Sequence, residues 1–190
     1  MGACISNEGE RAPELKTIED AGLLVLEFGD LQAPWTDAFP DPEGLIAINN
    51  DPTVRVSGID SRHKSGYTPL SGIRLAFTNG TSTEWFETAL SKQGPEAGID
   101  ELCDEVDTSR DIREVSLRLS PSNAICAMKL TDEKGDDIAD IEWENFDLCR
   151  EWKAYQVPEG HDLIGLRANT IADTNNITRL AFVFRKRPEK

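Results

Sequence analysis

The side chains of this 190-residue chain that could do chemistry are two histidines, four cysteines and two dense runs of carboxylates. His63 and His161 stand at no metal-ligand spacing from any cysteine. A thiol nucleophile with an imidazole base would need Cys103 or Cys149 beside His161, and no local signature surrounds either cysteine. No phosphate-binding glycine loop and no nucleophile elbow occurs. The sequence therefore predicts no enzyme and no cofactor. Cys126 sits inside an apolar run and reads as a buried thiol. Asp132-Glu133-Lys134-Gly135-Asp136-Asp137 offers carboxylate oxygens of the kind calcium prefers, with Asp132, Asp136 and Asp137 as the weak candidates. The spacing is not that of an EF-hand and Lys134 opposes a cation, so a solvated hairpin turn is the expectation. Asp100, Glu101, Asp104, Glu105 and Asp107 read as a solvated acidic face, or as a docking strip for a basic partner. Trp35, Trp85, Trp143 and Trp152 are core or interface candidates. Trp143 and Trp152, with the basic tail Arg185, Lys186 and Arg187, form the candidate binding surface.

A different chemistry is written at the start of the chain. Met1-Gly2-Ala3-Cys4-Ile5-Ser6 fits the myristoylation pattern, with Gly2 as the acylated amine and Ser6 as the required hydroxyl. One myristoyl chain binds a bilayer only with a constant on the order of 10⁴ M⁻¹, so stable anchoring needs a second signal. Cys4 is placed to carry a palmitoyl chain. A basic patch cannot substitute, because Glu8, Glu10, Glu14, Glu19 and Asp20 outnumber Arg11 and Lys16. These six residues resemble the dual-acylation tails of signalling and flagellar membrane proteins. That resemblance implies the cytoplasmic face of a membrane, flagellar or ciliary membranes included, and a chain that is not secreted. Thiols kept in the cytosol stay reduced, so no disulfide is expected. Asn79-Gly80-Thr81 and Asn176-Ile177-Thr178 are then chance glycosylation matches.

The elements that must position these residues are β-strands. A net charge of −15 repels nucleic acid, and the 38% hydrophobic fraction is that of a globular chain. Residues 1–20 are polar and acidic and read as a flexible arm, with one β-domain over residues 21–190. Short apolar runs bounded by turn residues, with apolar–polar alternation at Val54–Gly58 and Ile73–Phe77, predict strands at Leu23–Phe28, Leu45–Ile48, around Val54–Gly58, at Ile73–Phe77, Ser82–Glu87, Ile112–Leu119, Ile125–Leu130, Ile138–Trp143, Leu163–Leu166 and Leu180–Phe184. Asn79-Gly80 is a hairpin signal. Helical turns are expected around Asp100–Val106 and within Asn145–Lys153. Ser71 to Gly80 and Ala124 to Gly135 repeat one pattern, an apolar strand closed by a glycine turn. Regular short strands of this kind predict an all-β antiparallel prism or sandwich with acidic loops.

Residues 112–184 resemble the repeat of jacalin-type β-prism lectins. The resemblance is carried by Ile112 to Leu119, by Ile125 to Leu130 with Gly135, by Val157-Pro158-Glu159-Gly160 through Gly165, and by Ile177 to Phe184. It implies a β-prism that binds sugar. That family uses a glycine-rich loop ending in aspartate near the C-terminus together with an N-terminal glycine, whereas here the last strand runs into Arg185-Lys186-Arg187-Pro188. The leading expectation is a non-enzymatic, lipid-anchored adaptor or accessory subunit of a membrane- or cilium-associated assembly, with membrane and protein partners and no nucleic acid. The alternative is a carbohydrate-binding, jacalin-like lectin module.

Overall fold

The computed structural model describes residues 22–29, 37–39, 41–142, 149–170 and 176–188. Gly2, Cys4, Trp35 and Trp143 lie outside them. In chain order the elements are β1 (Leu24–Gly29), β2 (Asp37–Phe39), α1 (Pro42–Asn50), β3 (Val56–Lys64), β4 (Tyr67–Phe77), β5 (Phe86–Glu87), two 3-10 turns (Ser91–Gln93, Pro95–Ala97), β6 (Ile99–Glu105), β7 (Glu114–Leu119), β8 (Ile125–Thr131), β9 (Asp137–Glu142), β10 (Lys153–Gln156), β11 (His161–Thr170) and β12 (Ile177–Lys186). They form three four-stranded sheets ordered β1-β12-β11-β2, β5-β4-β3-β6 and β10-β7-β8-β9. Every strand pairing is antiparallel. This is a β-prism.

The three inner faces share one hydrophobic cluster. Phe28, Leu166 and Phe182 come from the first sheet, Ile59, Ile73 and Leu75 from the second, and Val115, Leu117 and Met128 from the third. Alternation is the cause in β7, where Val115, Leu117 and Leu119 join the cluster while Glu114 and Arg118 stay partly exposed and the small polar Ser116 between them is buried as well. The predicted repeat is structural. Ser71–Gly80 holds the later part of β4 and Ala124–Gly135 holds all of β8, the second strands of the hairpins in two different sheets.

Strand β12 breaks the alternation, since Ile177 to Arg185 are all buried. Helix α1 explains it. Leu45, fully buried, packs with Ile164, Val183 and Leu23 on the outer face of the first sheet, so that sheet is covered on both sides. Burying a leucine of this kind stabilises by about 1.5–3 kcal/mol. The expected strand at Leu45–Ile48 is therefore corrected to helix. Its start signal is Asp41, whose carboxylate accepts from the Gly44 amide at 2.7 Å, followed by Pro42 at the first helical turn. A four-residue apolar run cannot by itself distinguish strand from buried helix.

Other expectations change in the same way. The helical turn placed at Asp100–Val106 is instead the edge strand β6, paired along β3 from Gly58↔Glu105 to Lys64↔Ile99. Its acidic residues tolerate the strand because the edge faces water. Within Asn145–Lys153 the described residues 149–152 carry no helix and Lys153 opens β10. Of Ser82–Glu87 only Phe86–Glu87 forms strand, preceded by an isolated bridge between Ala76 and Ser82. The expectation of no disulfide is also overturned: Cys126 and Cys149 are bonded, with Cα atoms 6.4 Å apart. Cys126 is buried as predicted, at 1% exposure, but bridged rather than a free thiol.

Candidate functional site

The groove of greatest interest opens between α1 and the chain that joins β4 to β5. It holds about 640 Å³, and its lining includes Ile48, Phe77, Ser82, Glu84, Trp85 and Lys92. Each wall has a local cause. Asn79 turns the chain by accepting from the Thr81 amide (3.1 Å) and hydroxyl (2.7 Å). Gly80, at φ +81°, supplies the left-handed residue that this turn needs. Thr83 then holds the segment against β4, accepting from the Leu75 amide at 3.1 Å. Phe86, paired with Ile73, points toward the core, which sends its neighbours Trp85 and Glu87 to the outer face.

There Trp85 meets two cations. The guanidinium carbons of Arg62 and Arg74 lie 3.9 and 4.8 Å from its ring centroid. Because Asp60 pairs with Arg74 and Arg62 with Gly72, both arginines rise from the same face of the β3–β4 hairpin. Arg62 donates to Glu87 (2.7 Å) and Glu101 (3.2 Å), and Arg74 donates to Asp60. Gly72 leaves the room: a Cβ there would stand 2.7 Å from Ser91 Oγ and 3.2 Å from Arg62 Cβ. Paired cations of this kind hold an indole in one orientation. The arrangement offers a fixed aromatic wall, an apolar floor and a polar rim, a geometry suited to recognising a small molecule.

The residues singled out from sequence are scattered. Trp152, half-buried, lies over Arg118 (5.8 Å) and Lys129 (5.6 Å) on the third sheet. Arg185 is 3% exposed and belongs to the interior. It donates to the carbonyls of Ile48 (2.5 Å), Asp51 (2.7 Å) and Val54 (2.9 Å) and pairs with Asp162 at 3.5 Å. Arg187 pairs with Asp111 at 2.6 Å and with Asp162 at 3.5 Å. Lys186, on alternating register, is exposed. The basic tail is thus not one patch, because Arg185 is committed to joining α1 to β12.

Asp132 organises its own turn, accepting from the Lys134 (2.8 Å) and Asp136 (3.0 Å) amides and pairing with Arg110 at 2.9 Å. Partial burial pulls its pKa up, but the amide bonds and Arg110 outweigh that and hold it below the ordinary value. Asp137 and Asp140 face Lys129, at 4.0 and 2.8 Å. Among the described residues no group of three or more His, Cys, Asp or Glu could hold a metal ion. His161 Nδ1 lies 3.1 Å from the Pro158 carbonyl. Cys149 is bridged, and burial raises the Cys103 thiol pKa, with the Asp60 and Glu101 carboxylates adding to the effect. That direction suppresses the thiolate a nucleophile needs.

The sequence marks Trp85 only as one of four tryptophans. The signal that separates it is Trp85-Phe86 after a turn, where the Phe must face the core. Its two arginine partners come from strands up to 23 residues away and carry no local signal.

Comparison with known proteins adds the fold's context. No family model matches the chain and no curated protein sequence does. Solved structures do. The crystal structure of a lamprey immune protein aligns at TM-score 0.54 and 13% identity over 86% of this chain and 44% of its own. A mannose-binding lectin from Champedak aligns at TM-score 0.50 and 10% identity over 85% of this chain and 95% of its own. PirB aligns at TM-score 0.49 and 14% identity over 72% of this chain, which spans 32% of PirB. The chain thus spans under half the length of the lamprey protein and of PirB, but nearly the whole lectin. Its fold is the all-antiparallel β-prism that it shares with solved lectins.

Proposed function

We propose that this chain is a non-enzymatic saccharide-binding module. The observation that carries the reading is the end-to-end fold correspondence with the mannose-binding lectin, 85% of one chain against 95% of the other. A recognition groove with an aromatic wall agrees with it, and burial raises the Cys103 thiol pKa, which disfavours a thiolate nucleophile there. The test is a glycan array probed with the purified chain, with and without calcium. Saccharide binding that calcium chelation leaves intact is expected. An array without signal refutes the reading.

A second reading rests on Met1-Gly2-Ala3-Cys4-Ile5-Ser6. It makes the chain a lipid-anchored interaction module, held by myristate on Gly2 and palmitate on Cys4. Mass spectrometry of the native N-terminus and membrane fractionation of Gly2→Ala test it. Unmodified Gly2, or unchanged partition of the variant, removes it. The Cys126–Cys149 bond bears on the choice, because disulfides are rare in reducing compartments.

A further inference from the structure

We infer that the groove beside Trp85 is a saccharide subsite selective for neutral and amino sugars over acidic ones. The inference rests on the saccharide-binding reading and adds the place and the class of ligand.

Size comes first. About 640 Å³ lies within the range of small-molecule sites, roughly 300–1,000 Å³, and suits one or two sugar rings. The chemistry of the walls is two-sided, as a pyranose is. A sugar ring has an apolar C–H face and a rim of hydroxyls. Trp85 and Phe77 supply the apolar surface, while Ser82, Glu84, Glu87 and Lys92 supply the rim. The wall is set before any ligand arrives. Arg62 is tied to Glu87 and Glu101, Arg74 to Asp60, and both underlie the indole. A pre-positioned ring loses little freedom on binding.

Charge decides the class. With Glu87 paired to Arg62, Asp41 and Glu84 oppose Lys92 alone along the lining, and the whole chain carries −15. A sialylated, uronic or phosphorylated sugar would meet like charge from both. A neutral sugar meets hydroxyl acceptors, and the ammonium of an amino sugar meets carboxylates. The two arginines under Trp85 do not reverse this, because each is already paired with a carboxylate. An apolar peptide would satisfy the floor but leave the rim carboxylates without donors.

The experiment uses the full chain on the same array, followed by titration with mannose, N,N′-diacetylchitobiose, glucosamine and sialyllactose, read by indole fluorescence and by calorimetry. Neutral and amino sugars should bind, and sialyllactose should bind about tenfold more weakly or not at all. Trp85→Ala should weaken binding at least about tenfold. Ala47→Trp, which fills the groove from an exposed helix position, should do the same without touching the core. Trp152→Ala should leave affinity unchanged. If saccharide binding survives both Trp85→Ala and Ala47→Trp at full strength, the groove assignment falls while the lectin reading stands. If sialyllactose is preferred, the charge argument falls. If the array shows no binding at all, both fall.

Discussion

Reducing the Cys126–Cys149 bond, or replacing Cys149 by serine, should cost the native state several kcal/mol. The bond closes a loop with a sequence separation of 23 residues. Loop-closure entropy for that length corresponds to about 3.4 kcal/mol at 25 °C, lost because the unfolded chain regains its freedom. With an unfolding entropy of about 2.1 cal/mol/K per residue, the melting temperature should fall by about 8 °C. The structure gives a second reason for a fall. Cys149 and Arg150 begin the segment that delivers β10 to the edge of the third sheet. There the Arg150 amide donates to Leu119 O at 2.7 Å, and Arg118 donates to the Arg150 carbonyl at 3.1 Å. The assay is thermal unfolding of the oxidised protein, the reduced protein and Cys149→Ser, with Cys103→Ser as the control. Thiol titration of the denatured, unreduced chain should find Cys4 and Cys103 but neither Cys126 nor Cys149. Four titratable thiols, or melting temperatures within about 1 °C across oxidised and reduced protein, would refute the reasoning.

Three further outcomes are expected. Arg185→Met should destabilise by about 3–5 kcal/mol in urea unfolding, because three carbonyls lose their donor and buried Asp162 loses one of its arginines. Gly29→Ala should fail to accumulate as folded protein in circular dichroism or solubility assays, since its φ is +95° and the new Cβ would stand 2.0 Å from the Thr178 carbonyl oxygen. Burial raises the pKa of Asp104, and Asp140, Asp137 and Glu105 add to it against the Asp140 amide bond. Native protein therefore binds the extra proton, and stability falls as pH rises past the ordinary value of 3.8. Asp104→Asn, which keeps an acceptor for the Asp140 amide, should then raise stability at pH 7 by on the order of 0.5 kcal/mol. The gain should shrink as pH falls toward 4, and a constant gain across that range would contradict the assignment.

What the sequence determined by itself is the class of the fold. Alternation in Ile73–Phe77 and around Glu114–Leu119, and glycine turns at Gly80 and Gly135, point to short antiparallel strands, because a period of two is a local property of the backbone. The resemblance over residues 112–184 led to the prism, and the three sheets have that form. The N-terminal acylation motif is equally a matter of local sequence, and it lies outside the described residues. Three things needed the tertiary structure. Leu45–Ile48 is helix because Ile164 and Val183 offer an outer sheet face to cover, a partner far along the chain. Cys126 and Cys149 bond because β8 and the approach to β10 flank β7, a proximity that cysteine spacing does not encode. Trp85 was visible as a residue but not as a wall. Its orientation depends on Arg62 and Arg74 standing on one face of a hairpin, and on Phe86 claiming the core. Arg185 shows the converse. By type and position it belonged to a basic tail, and burial against the end of α1 made it part of the frame that the groove is built on.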